Sequence, residues 1–376
     1  MGFQTSREPL HFDVIVVGAG PAGSVCAGAL KAGGLQVLLL DRESFPRDKL
    51  CAGWISPEVF RLLGAAPEEY PYPLTTFQRL HFFIKGIHIP VRTLQYAVRR
   101  IEFDHWLLQR SGLPLTRHRV REVRRGSGGS WFIDGRFRAD ILVGAGGSGC
   151  PVARFLRGAA SSDSIFPPEG RHFDPGRRIV AMEEEFPYPA EDRRCLLWFF
   201  EKGLSGYSWY VPKEGGWLTV GVGGTAEGLR RRGKSIRDYW DLLVQRLLRE
   251  GLVQGHNFTP RGHSYLRAEK RRWVAAVGAS AGTTADGITL SGESAPAAWL
   301  IGDAAGLATV DMGEGIAPAI HSGLQAAHTI LQRLGKENQF PFGHEPFPRH
   351  LSQRAPRAYS MPEILCGRRR GNPGVL

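Results

Sequence analysis

Three glycines in the order Gly18-Ala19-Gly20-Pro21-Ala22-Gly23 follow directly on an apolar, β-branched run, Asp13-Val-Ile-Val-Val17. Each glycine has its own task in a phosphate cradle. Gly18 permits the tight turn, Gly20 lets a pyrophosphate approach the backbone, and Gly23 lets the next helix pack closely on the strand with its free amides aimed at the anion. Asp41 ends the following apolar run, about 20 residues on, where a carboxylate accepts hydrogen bonds from a ribose. A lone GxGxxG is only a glycine turn before a helix, but strand, helix and terminal acid together point to an adenine dinucleotide.

These residues need a strand-turn-helix-strand unit to hold them. The pattern predicts a strand over residues 13–17, a helix from Ser24 to Lys31 closed by Gly33-Gly34, and a second strand over residues 37–40. Downstream, residues 118–125 and 131–137 read as hairpin strands, with Asp134-Gly135 at a tight turn. Asp140-Ile-Leu-Val-Gly144-Ala145-Gly146-Gly147 is another apolar strand running into glycines, and Trp299-Leu-Ile-Gly302-Asp303 repeats that pattern. The expected fold class is α/β: a discontinuous, Rossmann-like nucleotide domain over residues 10–69, 99–158 and 293–334, with an antiparallel α+β domain over 70–98 and 159–292. Alternating Leu80, Phe82 and Ile84, and the run Trp217-Leu-Thr-Val-Gly-Val, suit that second sheet. One helix is embedded there, capped by Ser235 with Asp238, carrying Ile236, Trp240, Leu243, Leu247 and Leu248 as a core stripe and ending at Gly251. Residues 274–298 show no periodicity and read as a loop; 335–376 read as a helical extension with a mobile basic tail.

Composition narrows the class. With 42% hydrophobic and 22% charged residues in 376, the chain is neither disordered nor fibrous. The net charge of +12 is spread in small groups such as Arg230 to Arg232 and Arg368 to Arg370, without a nucleic-acid-binding module. Five dispersed cysteines lack any Cys-x-x-Cys pair, so neither a disulfide framework nor a zinc site is indicated. No apolar stretch reaches spanning length. A cytoplasmic protein is expected, either free or peripheral to the inner membrane face. Histidines His263, His321 and His328 lack metal-ligand spacing and read as structural or surface residues.

Taken in order, GxGxxG, Phe45-Pro-Arg-Asp-Lys-Leu-Cys51-Ala52-Gly53, Arg100-x-x-Phe103-Asp104, Tyr207-x-Trp209-x-Val-Pro212, Gly302-Asp303 and Gly313-Glu-Gly315-Ile316 resemble the geranylgeranyl reductase family. That family belongs to a flavoprotein superfamily which also holds aromatic hydroxylases and halogenases. The resemblance spans roughly residues 11 to 330. It implies FAD, held at Gly18, Gly20, Pro21, Ala22 and Gly23, at Asp41 and Arg42, and at Cys51, Ala52 and Gly53. It further implies Arg100 beside the phosphates or ribityl chain, the Gly144-Ala145-Gly146 turn, and Asp303 with Gly302 on the ribityl or pyrophosphate region. Gly313, Gly315 and Ile316 open a helix whose amides and positive end can stabilise charge on the reduced ring.

The same resemblance puts Cys51 at the flavin face, to position substrate or deliver a proton, and makes Tyr207 and Trp209 walls of the substrate cavity. Two departures stand out: Ala52 replaces a family glycine, and Val211 a phenylalanine. Trp198, Phe199, Phe200 and Tyr210 make the same region strongly aromatic, which suits an apolar chain or ring, although core packing accounts for part of it. Halogenases carry a related Trp-x-Trp element there. Hydroxylases carry an Asp-Gly where this chain reads Ala145-Gly146-Gly147-Ser148, which weakens the hydroxylase reading and also unsettles NADPH as donor.

The activity implied is hydride transfer from reduced FAD to a C=C bond of an apolar, prenyl-like or polyene substrate, a small molecule or lipid. NAD(P)H, ferredoxin or another electron-donor protein would supply the electrons. The alternatives are a monooxygenase or halogenase acting on an aromatic substrate, and an electron-transfer flavoprotein without a substrate of its own.

Overall fold

The structure is a computed structural model describing residues 8–158, 177–268, 275–277, 281–284, 287–290, 298–309 and 312–341. In chain order its strands are β1 (Leu10–Val17), β2 (Val37–Asp41), β3 (Trp54–Ile55), β4 (Thr75–Ile84), β5 (Ile87–Ala97), β6 (Leu115–Arg117), β7 (Val123–Arg125), β8 (Trp131–Ile133) and β9 (Phe137–Gly144). The later ones are β10 (Arg178–Pro187), β11 (Cys195–Phe199), β12 (Gly206–Lys213), β13 (Trp217–Thr225), β14 (Arg261–Leu266), β15 (Ala275–Val277), β16 (Ala281–Thr284), β17 (Gly287–Leu290) and β18 (Ala298–Leu300). The helices are α1 (Pro21–Ala32), α2 (Glu58–Leu63), α3 (Arg100–Ser111), α4 (Pro151–Gly158), α5 (Ala226–Arg231), α6 (Ile236–Arg249) and α7 (Ile316–Arg333).

The first sheet has the order β15-β18-β9-β1-β2-β6, with the β7-β8 hairpin attached to β9. β1 is parallel to both β2 and β9, and β18 is parallel to β9. Val14 to Val17 are buried because helices cover both faces. α1, α3 and α7 pack on one face, and α4 with the hairpin packs on the other. That double covering is why these strands read as unbroken apolar runs. At the β8-β9 turn, Asp134 (φ 49) and Gly135 (φ 64) both occupy the left-handed region that a two-residue hairpin turn requires.

The second sheet runs β14-β10-β13-β12-β11-β4-β5-β3 and is antiparallel except where β11 meets β4. Its strands alternate. Leu218, Val220 and Val222 of β13 and Tyr210 of β12 face α6, whereas Trp209 and Val211 face the opposite way with Leu80, Phe82 and Phe199. α6 starts with the expected capping box between Ser235 and Asp238, and buries Trp240, Leu243 and Leu247. Leu248 does not join the stripe; it is half exposed, one position past the buried arc.

The segment read as a loop over residues 274–298 instead contains β15, β16 and β17. β15 pairs antiparallel with β18, so it joins the first sheet, and β16 pairs with β17. Short Ala/Gly/Thr strands carry too little apolar alternation to show in sequence. Conversely, β3 pairs with β5 of the second sheet although it lies early in the chain. The predicted tail over residues 342–376, with Cys366 and Arg368 to Arg370, lies outside the described residues. The four cysteines described, Cys26, Cys51, Cys150 and Cys195, are free thiols. Among the described residues no helix is long and apolar enough to cross a membrane, and no His/Cys/Asp/Glu group suits a metal ion.

Candidate active site

A cavity of about 2330 Å³ runs from the glycine turn after β1 to the face of the second sheet that α6 leaves uncovered. At its first end the three glycines divide as their spacing predicts. A Cβ at Gly18 (φ +113) would lie 2.4 Å from the Ala145 carbonyl oxygen, and one at Gly23 would lie 1.8 Å from that of Gly18. Both are therefore fixed by backbone packing. Gly20 is different: it lines the cavity, and its Cβ position meets only the Arg47 guanidinium, at 3.4 Å. Gly20 is also the N-cap of α1, and no side chain caps that helix, so its first amides are left for a ligand.

Asp41 braces the turn. One oxygen accepts from the Ala19 amide at 2.8 Å and the other from the Glu43 amide at 3.0 Å, and the carboxylate still borders the cavity. α7 points a second N-terminus into the same space, with Gly313, Gly315 and Ile316 on the wall. Neither α1 nor α7 has an acidic residue in its first turn, so the positive end of α1 is uncompensated there, whereas Glu314, just before α7, accepts from the Ala317 amide.

Between the two helix ends sits the Cys51 turn. Arg100 forks onto Asp104 at 2.8 and 2.9 Å, with Arg47 at 3.3 Å from the same carboxylate. Burial works against the Arg100 charge, but Asp104 and the neighbouring Cys51 thiol hold its pKa above the ordinary arginine value. Lys49 lies 3.9 Å from Asp303. Beneath the turn, a Cβ at Gly53 (φ +70) would strike the Val98 carbonyl and the Lys213 ammonium. Lys213 is itself buried and bonded to Glu185 at 2.5 Å, with Arg99 on the same carboxylate at 3.1 Å.

The far wall is aromatic. Tyr207 donates its hydroxyl to the Met312 carbonyl at 2.5 Å, which ties the second sheet to the loop before α7. Its ring lies 5.1 Å from Phe199 and 5.6 Å from Trp209. Trp209 fits because Gly221, its neighbour on β13, has no side chain: a Cβ there would sit 2.3 Å from the indole.

Of the residues singled out from sequence, Gly18, Gly20, Pro21, Ala22, Asp41, Arg42, Cys51, Ala52, Arg100, Ala145, Gly146, Tyr207, Trp209, Gly302, Asp303, Gly313, Gly315 and Ile316 all line this one cavity. Gly23, Gly53 and Gly144 do not. They serve packing instead, Gly144 by leaving room for Leu300, Val152 and Cys150. His263, expected to be structural or a surface residue, lines the cavity as well, 3.5 Å from Glu183, because β14 edges onto β10 there.

Glu183, Tyr265 and Glu314 are wall residues that sequence reasoning missed. Burial pushes Glu183 up to about 8, Glu314 up to about 7 and His263 down to about 4. Glu314 sits within the Gly313-Glu-Gly315 element; for Glu183 the usable signal is Glu183-Glu184-Glu185, three carboxylates in a strand whose alternation forces at least one inside, and no local motif marks Tyr265.

This arrangement fits FAD: an uncapped helix start behind an open glycine for the pyrophosphate, a carboxylate at the end of β2, and a second helix start opposite the Cys51 turn. A family model described as an FAD binding domain matches residues 11–66. Digeranylgeranylglycerophospholipid reductase 1 of Methanopyrus kandleri is 28% identical over 228 residues, covering 57% of this chain and 58% of that protein. The menaquinone reductase of Mycolicibacterium smegmatis is 26% identical over 347 residues, covering 85% and 76%. A geranylgeranyl bacteriochlorophyll reductase-like protein of Thermoplasma acidophilum superposes with a TM-score of 0.69 at 18% identity, over 95% of this chain and 85% of that one.

The chain carries an FAD binding domain and is similar to proteins of the geranylgeranyl reductase type. A flavin-dependent brominase shares the fold of this chain at a TM-score of 0.61 and 18% identity, over 86% of this chain and 80% of that one.

Proposed function

We propose that this protein is an FAD-dependent reductase of the geranylgeranyl reductase type, which reduces a carbon-carbon double bond of an apolar, prenyl-like or polyene substrate. The observation that supports this is the single cavity joining the glycine turns to the Tyr207-Trp209 wall. FAD, when bound, supplies two-electron chemistry. The chain's own residues do the rest. The amides after Gly20 hold the pyrophosphate, Asp41 the ribose, and Asp303 with Gly302 the ribityl side. Phe82, Tyr207 and Trp209, which line the cavity, grip the apolar substrate and exclude water from the reacting bond. Cys51 Sγ, beside the Arg100 guanidinium, gives the proton to the second carbon. Electrons come from NAD(P)H or a ferredoxin-like donor protein.

The test is anaerobic photoreduction of the purified holoprotein, followed by mixing with prenylated alkenes or with aromatic compounds. Reoxidation of the flavin by an alkene, without oxygen and with a saturated product, is the expected result. No alkene turnover, together with oxygen-dependent hydroxylation or halogenation of an aromatic compound, would replace this reading with the monooxygenase or halogenase alternative. Fast exchange with a redox protein and no small-molecule turnover would favour the electron-transfer alternative.

A further inference from the structure

On the uncovered face of the second sheet, the Glu185-Lys213 cluster is paired, but one neighbouring row holds polar groups without partners among the described residues. Glu183 on β10 is in register with Gly221 on β13, and Gly221 with Trp209 on β12. Because Gly221 lacks a side chain, the Trp209 indole and the Glu183 side chain both close over it, at 2.3 and 2.7 Å from its Cβ position. Glu183 is 1% exposed, and neither of its carboxyl oxygens has a hydrogen-bond partner among the described residues. The indole Nε1 of Trp209 has none either, and His263 Nδ1, 3.5 Å from Glu183, makes no hydrogen bond. Three polar groups facing one cavity with their bonding capacity unused run against the strong tendency of buried polar groups to be paired.

We infer that Glu183, Trp209 Nε1 and His263 form a polar subsite in the substrate wall that receives the carbonyl oxygen of a neutral ketone- or quinone-bearing ligand. This rests on the reading that the wall receives substrate. The ligand class follows from the donors. An indole N–H only donates, and an uncharged carboxyl also donates through its O–H, so the two suit an acceptor oxygen. A cationic ligand is disfavoured by Lys49, Arg100 and Lys213, which all face this region; an anionic one finds Arg100 already on Asp104 and Lys213 already on Glu185.

Uncharged Glu183 is the competent form, and the groups around it set when that form is lost. Burial pushes it up to about 8; Lys213 on β12, Arg100 on α3 and Lys49 pull it down, and Glu185 on its own strand pushes it up. His263 on β14 stays neutral at that pH, since burial holds it near 4, and the Tyr207 and Tyr265 hydroxyls stay protonated because burial raises both. Within this subsite Glu183 is thus the group that changes charge near pH 8, Glu314 elsewhere on the cavity wall being pushed up only to about 7, and the donor is lost as pH rises through the Glu183 value.

The test is equilibrium dialysis of oxidised holoprotein against 2,3-dimethyl-1,4-naphthoquinone, which has no open ring position for thiol addition, and against 2,3-dimethylnaphthalene. The wild type should prefer the quinone by about tenfold at pH 7 and lose that preference above pH 8. Glu183→Gln should keep the preference without the pH dependence, and Glu183→Leu should abolish it while leaving hydrocarbon binding intact. If Glu183→Leu does not fold, the pH comparison between wild type and Glu183→Gln decides alone. Equal binding of both compounds by the wild type, or an identical pH profile in Glu183→Gln, overturns the subsite while leaving the apolar wall standing. Binding of neither compound overturns the subsite and the wall together, and the flavin absorbance of the same samples shows separately whether FAD is held.

Discussion

Glu183 and Glu184 are consecutive residues on β10, both buried, and they face opposite sides of the same sheet. On the side covered by α6, Glu184 accepts from His256 Nε2 at 3.0 Å, from the Thr259 amide at 2.6 Å and from the Thr259 hydroxyl at 3.2 Å. On the cavity side, Glu183 accepts from nothing among the described residues. The same contrast holds for the aromatic residues beside them. Tyr210, facing α6, donates to the Asp192 carbonyl at 3.1 Å, whereas Trp209 keeps an unused N–H. One face is finished as a core; the other leaves Glu183 and Trp209 Nε1 without partners among the described residues, the bonding that the proposed ligand would supply. A sheet can carry both because strand alternation decouples its two sides.

The strongest way to break this comparison is at the core face. Trp240→Ala should cost about 3–5 kcal/mol of stability while the folded fraction keeps its FAD, measured by denaturant unfolding alongside the visible absorbance. Loss of flavin at full stability would mean that the α6 side also builds the site. The next effect is electrostatic. Glu183 has a folded-state pKa raised to about 8, so the native state binds the extra proton and stability falls as pH rises from the unfolded carboxyl value towards 8. The difference between wild type and Glu183→Gln across that window should be on the order of 2–4 kcal/mol in denaturant midpoints taken as a function of pH. A flat difference would show that Glu183 is charged and paired in the folded protein.

Removing the satisfied acid should do the reverse of removing the unsatisfied one. Glu184→Ala leaves Thr259 and His256 without their acceptor and should destabilise by about 1–3 kcal/mol, while Glu183→Leu at pH 8 should be neutral or stabilising. Smallest is the cap of α6: Ser235→Ala should cost about 1 kcal/mol by thermal unfolding and leave ligand binding unchanged.

The two ends of the cavity also differ in how far sequence displays them. Gly18, Gly20 and Gly23 are legible because each answers a backbone demand within a few residues, and the apolar runs around them report double-sided burial. The capping box at Ser235 and the Asp134-Gly135 turn are equally local. Apart from the run of three glutamates on β10, nothing local marks Glu183, Tyr265 or His263, which meet the site only through the β10-β13-β12 and β10-β14 registers. Gly221 explains the difficulty: in sequence it is one glycine in a strand, and in the fold it is the space that Trp209 and Glu183 share. Gly144 shows the opposite error, a glycine in a motif-like setting whose neighbours are core side chains.

The most direct test of the two-faced sheet is a titration of oxidised holoprotein with a soluble prenyl alkene, following the flavin absorption bands in wild type, Trp209→Ala and Trp240→Ala. Ligand-induced band shifts in wild type and Trp240→Ala, with binding weakened about tenfold or more in Trp209→Ala, are what the cavity wall predicts. Equal shifts in all three proteins, or shifts lost only in Trp240→Ala, would contradict it.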